Sequence, residues 1–126
     1  MTPTLNAIGL VVTDLATAAA FYRHLGLEFP LDNEVHSEVV LAGGIRLMLD
    51  TEASVRSFSD WQRPTGSPRA AIAFEFPEPA GVDAAYATLL AAGGSSHLAP
   101  WDAPWRQRYA SVRDPDGNGV DLYAAL

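Results

Sequence analysis

The sequence predicts an α+β fold made of two βαβββ modules whose mixed sheets enclose a ligand cavity. Three observations carry that expectation. Short apolar runs of strand length alternate with two amphipathic stripes at helical spacing, each ended by glycine. The pattern of the first half returns in the second, which makes the chain an internal repeat. Each half has one helix to cover one face of its sheet, so the other face needs a different cover, and two such faces turned toward each other would enclose a cavity. The modules are expected at about 1–52 and 68–126, joined by a linker, in a single domain spanning 1–126.

Taken in order, Leu5 to Val12 is a buried strand, apolar and β-branched toward its end. Thr13 and Asp14 are N-cap residues for a helix whose stripe is Leu15, Ala18, Ala19, Tyr22 and Leu25, with Gly26 at its C-terminus. Leu27 to Phe29 resumes extended chain and Pro30 ends it. Val35 to Leu41 and Ile45 to Asp50 are strands joined through Ala42-Gly43-Gly44, a glycine hairpin connection. Thr51 to Pro68, rich in serine, proline and charge, reads as a long loop, and loops of that length inside a domain are often functional.

The second half opens with a strand from Arg69 to Phe76, broken by Pro77-Glu78-Pro79. Val82, Ala85, Tyr86, Leu89 and Leu90 form the second helical stripe, ended by Gly93-Gly94. A short strand near Ser96 to Ala99 leads into the loop Pro100 to Arg106, which holds two of the chain's three tryptophans. Gln107 to Arg113 and Gly119 to Ala124 are the last strands, joined by Asp114-Pro115-Asp116-Gly117-Asn118, where nearly every residue is a turn former.

Strand alternation assigns the cavity face. With Val120 and Leu122 under a helix, Asp121 and Tyr123 turn to the other side, where Tyr109 and Ser111 join them. In the first half Leu47 and Leu49 go to the helix side, and Arg46, Met48 and Asp50 face the cavity with His36, Glu38 and Val40. The opening strands add Ala7, Gly9, Val11, Ala71, Ala73 and Glu75. Such a lining, apolar with a few placed polar groups, suits a small molecule.

Composition narrows the function. At 126 residues, 48% hydrophobic and 18% charged, the chain can bury a core. A net charge of −7 with no lysine argues against nucleic acid, which needs clustered positive charge. Without cysteine there is no disulfide, thiolate metal site or cysteine nucleophile. No basic stretch followed by an apolar run marks a secretory signal, and no apolar stretch approaches the roughly 20 residues of a membrane span, so a cytoplasmic location without membrane contact is expected. No Ser/His/Asp context, phosphate-binding glycine loop or EF-hand spacing is present. Tryptophans four apart in a proline-broken loop have two readings, a plug or subunit contact and a stacking surface for a ligand. The second is expected for Trp101 and Trp105, since indole offers a large rigid area at little entropic cost. For Trp61 both roles, ligand wall and subunit contact, stand.

The segments Ile8–Asp14, Ala19-Phe21-Tyr22 with Leu25-Gly26-Leu27, and Arg113–Asn118 followed by Val120–Tyr123 resemble the vicinal oxygen chelate superfamily, also called the glyoxalase/bleomycin resistance/dioxygenase family. The resemblance covers nearly the whole chain and implies curved sheets. Metal-dependent members bind a divalent ion through a histidine early in each opening strand and an acid late in each half. Those positions fall here on Ala7 and Ala71, and on Asp50 and Asp121. Alanine offers no donor, so no metal and no other cofactor is expected. Asp50-Thr51, Asp60-Trp61-Gln62, Pro64-Thr65-Gly66, Ile72–Pro77 and Pro100–Tyr109 look like the bleomycin and mitomycin resistance proteins. That likeness implies a homodimer, domain-swapped or side by side, with two sites shared between subunits, sequestering an aromatic antibiotic or natural product without turnover. Trp61, Trp101, Trp105 and Tyr109 would stack on it, with His36, Glu38, Met48, Asp50 and Ser111 completing the site. The rival readings are a metal-dependent lyase, isomerase or dioxygenase using Asp50, Asp121 and His36, and a metal-free biosynthetic enzyme with a cavity acid as general base.

Overall fold

The computed structural model describes all residues from Met1 to Leu126. Seven strands and three helices follow in the order β1 (Ala7–Val12), α1 (Leu15–Arg23), β2 (His36–Val40), β3 (Arg46–Thr51), α2 (Glu52–Arg56), β4 (Ala71–Glu75), α3 (Pro79–Ala91), β5 (Ser95–Ala103), β6 (Gln107–Arg113) and β7 (Gly119–Ala125). They form two compact units, Met1–Arg63 and Pro64–Leu126. This is the α+β class that the alternation predicts, with a three-stranded sheet ordered β1-β3-β2 and a four-stranded sheet ordered β4-β7-β6-β5.

The repeat is visible in the ladders. β1 pairs parallel with β3 and β4 parallel with β7, while β2–β3 and β6–β7 are antiparallel hairpins. The first module nevertheless has one strand fewer than expected, because Leu27–Phe29 joins no ladder. That segment serves α1 instead. Gly26, at φ +82°, takes the left-handed turn that glycine tolerates, and the Leu27 amide returns to the Tyr22 carbonyl. Phe29 is then buried edge-to-face on Tyr22, which also contacts Phe21. Asp14 caps the other end of α1 by accepting from the Thr17 amide at 2.9 Å.

The stretch after Asp50 is a second departure. Thr51 caps α2 through its hydroxyl oxygen, which accepts from the Ser54 amide at 3.2 Å. The buried Glu52 then takes a two-pronged hydrogen bond from Arg63, at 2.9 and 2.6 Å. The supposed loop is thereby tied back onto a short helix, and the junction between the units falls after Arg63.

In the second unit α3 packs on β5, β6 and β7. Val82 and Leu89 of the helix, and Ala110, Val112, Val120, Leu122 and Ala124 of the sheet, are all fully buried. β5 is the third departure: it runs through Pro100 and Trp101 to Ala103. As the edge strand it can spare the amide that proline lacks, and register shifts flanking Leu98 absorb the irregularity. The tight return between β5 and β6 places Arg106 at φ +70°. On the opposite edge, a side chain at Gly119 would stand 2.8 Å from the Ala70 carbonyl oxygen, so glycine is what lets β4 and β7 approach there.

The turn between β6 and β7 is organised by Asp114, which is only 3% exposed. Its Oδ1 accepts from the amides of Asp116 and Asn118 at 2.8 and 2.9 Å, and its Oδ2 from the Asn118 side chain at 3.0 Å. Replacing Asp114 by alanine strands those donors. The expected outcome is a loss of about 2 kcal/mol in equilibrium denaturation, with the cooperativity of unfolding unchanged. A loss below about 0.5 kcal/mol means the turn does not depend on this carboxylate.

Candidate functional site

The first unit presents a chain of charges on one face of its sheet. β3 alternates strictly, with Leu47 and Leu49 buried and Arg46, Met48 and Asp50 half-exposed. β2 sets His36 across from Asp50, Glu38 across from Met48 and Val40 across from Arg46. The imidazole lies between two carboxylates, with Nδ1 2.7 Å from Asp50 and Nε2 2.8 Å from Glu38. Arg46 donates to both Glu38 oxygens at 3.1 and 3.0 Å and reaches Asn6 with its remaining nitrogens. Met48 lies over Gly9, the site of the smallest side chain on β1.

A neutral imidazole has one N–H, so two carboxylate acceptors on its two nitrogens favour the doubly protonated cation. The hydrogen bond to Asp50, and then that to Glu38, accordingly raise the His36 pKa. His36, followed by Arg46, lowers that of Glu38. The two acids occupy opposite sides of the ring and do not converge on a common point. No group of three histidine, cysteine or acidic side chains in the chain is arranged to hold a metal ion.

The second unit presents a different surface. Asp121 receives the Tyr109 hydroxyl at 2.6 Å on one oxygen and the Ser111 hydroxyl at 2.8 Å on the other. Burial, reinforced by Asp121, pushes the Tyr109 phenol up to about 12, so it remains a donor throughout the physiological range. Tyr109 also ends an aromatic series. Trp101 and Trp105 meet edge-to-face at 5.7 Å, and Trp105 and Tyr109 at 5.4 Å. The Trp105 indole N–H donates to Gln107 at 2.9 Å. Beside this series lies a cleft of about 300 Å³ that crosses the sheet from Ala71 and Gly119, past Asp121, Ser111 and Tyr109, to Leu98.

The structure thus gathers the expected site residues in three places. His36, Glu38, Met48 and Asp50 share one sheet face in the first unit. Tyr109 and Ser111 line the cleft, which Trp101 and Trp105 adjoin through Tyr109 without lining it. Trp61 belongs to the first unit, where the Arg56 guanidinium sits over its ring at 5.1 Å. His97, Arg69 and Arg113, none of them among the residues expected at the site, also line the cleft. Strand alternation from Ser111 to Arg113 held the signal for Arg113. Nothing in the sequence marked Ser67 or Arg69, which precede β4.

The register also corrects the matching of acids between halves. Ala7 pairs with Arg46 and Gly9 with Met48, while Ala71 pairs with Gly119 and Ala73 with Asp121. The counterpart of Asp121 is therefore Met48, and Asp50 corresponds to Tyr123. Of the four positions that the family resemblance marks for metal ligands, three hold Ala7, Ala71 and, by this register, Met48, and the fourth, Asp121, is engaged by two hydroxyls. This donor set does not fit a divalent ion of the hard, oxygen- and nitrogen-seeking kind.

The charge chain around His36 gives a pH dependence whose sign is fixed. The folded pKa of His36 lies above its unfolded value, so its contribution is complete below about 6.5 and is lost as pH rises through the raised pKa. Glu38 runs the other way, complete above about 4.3 and lost as pH falls through the lowered pKa. The stability difference between wild type and His36→Gln is therefore expected to peak between these values and to narrow in alkali. The His36 ring resonances should titrate above 6.5 by NMR. Titration at or below that value contradicts the doubly donating ring.

Similarity to other proteins agrees with this architecture. The glyoxalase/bleomycin resistance protein/dioxygenase superfamily model matches residues 4–122. A glyoxalase-related enzyme from Fulvimarina pelagi superposes with a TM-score of 0.84 at 20% identity, over 98% of this chain and 88% of that one. A glyoxalase/bleomycin resistance protein/dioxygenase family enzyme from Burkholderia phytofirmans PsJN gives 0.80 at 17% identity, over 98% and 100%. A lactoylglutathione lyase from Agrobacterium tumefaciens gives 0.67 at 23% identity, over 98% and 95%. No curated protein matches the chain. With nearly all of its length matched and both halves of the repeat in place, the chain belongs to the glyoxalase/bleomycin resistance protein/dioxygenase superfamily.

Proposed function

We propose that the protein binds an aromatic small molecule, an antibiotic or related natural product, and sequesters it without chemical turnover. The observation that carries this reading is the aromatic series Trp101–Trp105–Tyr109 at the edge of the cleft. Its two indoles are 38% and 52% exposed, an unusual outlay of large apolar surface on a soluble sheet edge. Edge-to-face packing and the Gln107 hydrogen bond hold the rings in place, so stacking a planar ligand on them costs little ordering entropy. Ser111 and Asp121 supply polar contacts deeper in the cleft.

Three features favour binding over turnover. Ala7, Ala71 and Met48 remove the donors through which metal-dependent relatives work. Both oxygens of Asp121 already accept hydroxyls, which weakens it as a general base. The Tyr109 phenol, kept protonated by burial and by Asp121, is a hydrogen-bond donor near neutrality and not a base. A homodimer with two shared sites belongs to the same proposal. It is supported by the apolar side chains of Leu5, Ile8 and Val40, which the first unit leaves exposed.

Titrating intrinsic tryptophan fluorescence with bleomycin, mitomycin and polycyclic aromatic antibiotics tests the reading. Saturable quenching is expected with at least one, and Trp101→Ala should weaken it by about 2 kcal/mol, roughly 30-fold in Kd. The ligand recovered after incubation should keep its mass. Absence of quenching throughout, or indifference to Trp101→Ala, refutes stacking, and a changed mass refutes passive sequestration.

A further inference from the structure

The arginines of this protein fall into two groups. Arg23, Arg46, Arg56, Arg63 and Arg108 each pair with a carboxylate. Arg69, Arg106 and Arg113 make no ion pair, in a chain with 15 acidic residues and only 8 basic ones. Two of these three, Arg69 and Arg113, line the same cleft. Unpaired guanidiniums gathered in one concavity of so acidic a protein call for a ligand with complementary charge.

The groups around them are donors as well. Arg113 Nη2 donates to the Ser67 hydroxyl oxygen at 3.0 Å, which leaves the Ser67 proton available. The same nitrogen approaches His97 Nδ1 at 3.4 Å. A guanidinium can only donate, so His97 Nδ1 must be the acceptor, and the ring proton resides on Nε2 as a further donor. This end of the cleft thus offers two guanidiniums, a hydroxyl and an imidazole N–H, while the acid in the cleft, Asp121, is two residues further along its strand than Gly119, which pairs with Arg113.

We infer that this end of the cleft binds the anionic group, a carboxylate or its equivalent, of a flat polycyclic ligand whose rings extend toward Tyr109. Arg113, Ser111 and Tyr109 follow one another at every second position of β6, so the first and last stand about 13 Å apart along the strand. That span suits a molecule of two or three fused rings with an acid at one end. Leu98, which pairs with Ser111, gives the rings an apolar wall on the way to Tyr109, while Pro68, Ala70 and Ala71 flank the Arg113 end. The planar guanidinium fork matches a carboxylate in two-pronged fashion, and the positive charge there discriminates against a neutral analogue of the same shape. This inference rests on the aromatic-ligand reading and adds the charge and length of the ligand.

The test compares anthracene-2-carboxylate with anthracene-2-carboxamide, followed by the fluorescence anisotropy of each probe with the full chain. The acid should bind about tenfold more tightly than the amide, and its advantage should shrink as ionic strength rises. In Arg69→Met/Arg113→Met the ratio between acid and amide should fall to near one. The single variant Arg69→Met, exposed and free of hydrogen bonds to neighbouring elements, should lower the ratio partway and guards against a folding defect in the double variant. Equal affinity of the two probes, or an acid preference that survives the double substitution, overturns the anionic site while leaving the aromatic-ligand reading intact. Failure of both probes to bind overturns the two together.

Discussion

The burial of one side of the second sheet against α3 is the constraint on which the candidate site depends. Ala110, Val112, Val120, Leu122 and Ala124 are completely enclosed. Because side chains alternate, enclosing these five commits Tyr109, Ser111, Arg113, Asp121 and Tyr123 to the opposite face. A slip of one residue would drive Asp121 and Arg113 into the apolar layer and expose Leu122. The cost of burying an unpaired charge exceeds what any rearranged contact returns. The hairpin turn reinforces the same register from the other end, since the Asp114 carboxylate fits only one arrangement of the Asp116 and Asn118 amides.

Much of this was legible in the sequence, for identifiable reasons. The Asp114–Asn118 turn, the bounds of β6 and the caps of α1 follow from residues with a single strong preference. What the sequence concealed was decided by contacts between distant residues. Leu27–Phe29 has strand composition, but Phe29 finds a better partner in Tyr22 than in a sheet edge. Ser- and Pro-rich chain after Asp50 reads as loop, yet Glu52 gathers Arg63 across eleven positions and makes it part of the first unit. Pro100 argued for a loop around Trp101, while the position of β5 at the sheet edge removed the objection to proline.

The candidate site shows the same division. Period-2 alternation placed His36, Glu38, Met48 and Asp50 together, and Tyr109 with Ser111. It could not show that His36 would lie between two acids, because that depends on register across the β2–β3 pair. Nor could it show that Asp121 would be satisfied by hydroxyls from its own hairpin. Ala71, which offers no donor, pairs with Gly119, and the two small residues form the wall of the cleft there.

Electrostatics then sets what the cleft can hold. A protein of net charge −7 repels anions at long range, but salt confines that repulsion to about 8 Å at physiological ionic strength. Within that distance the identity of the nearest groups outweighs the total. Paired arginines are neutralised locally by their carboxylates, so Arg46 and Arg108 contribute little beyond their own clusters. Arg69 and Arg113 have no such partner, and their charge is available to a bound molecule. On the proposed anionic reading the overall negative charge is a filter: it disfavours loose accumulation of anions on the surface and leaves the cleft, where unpaired donors converge, as the place to bind one. On that reading selectivity would come from withholding carboxylate partners from Arg69 and Arg113 rather than from adding basic residues.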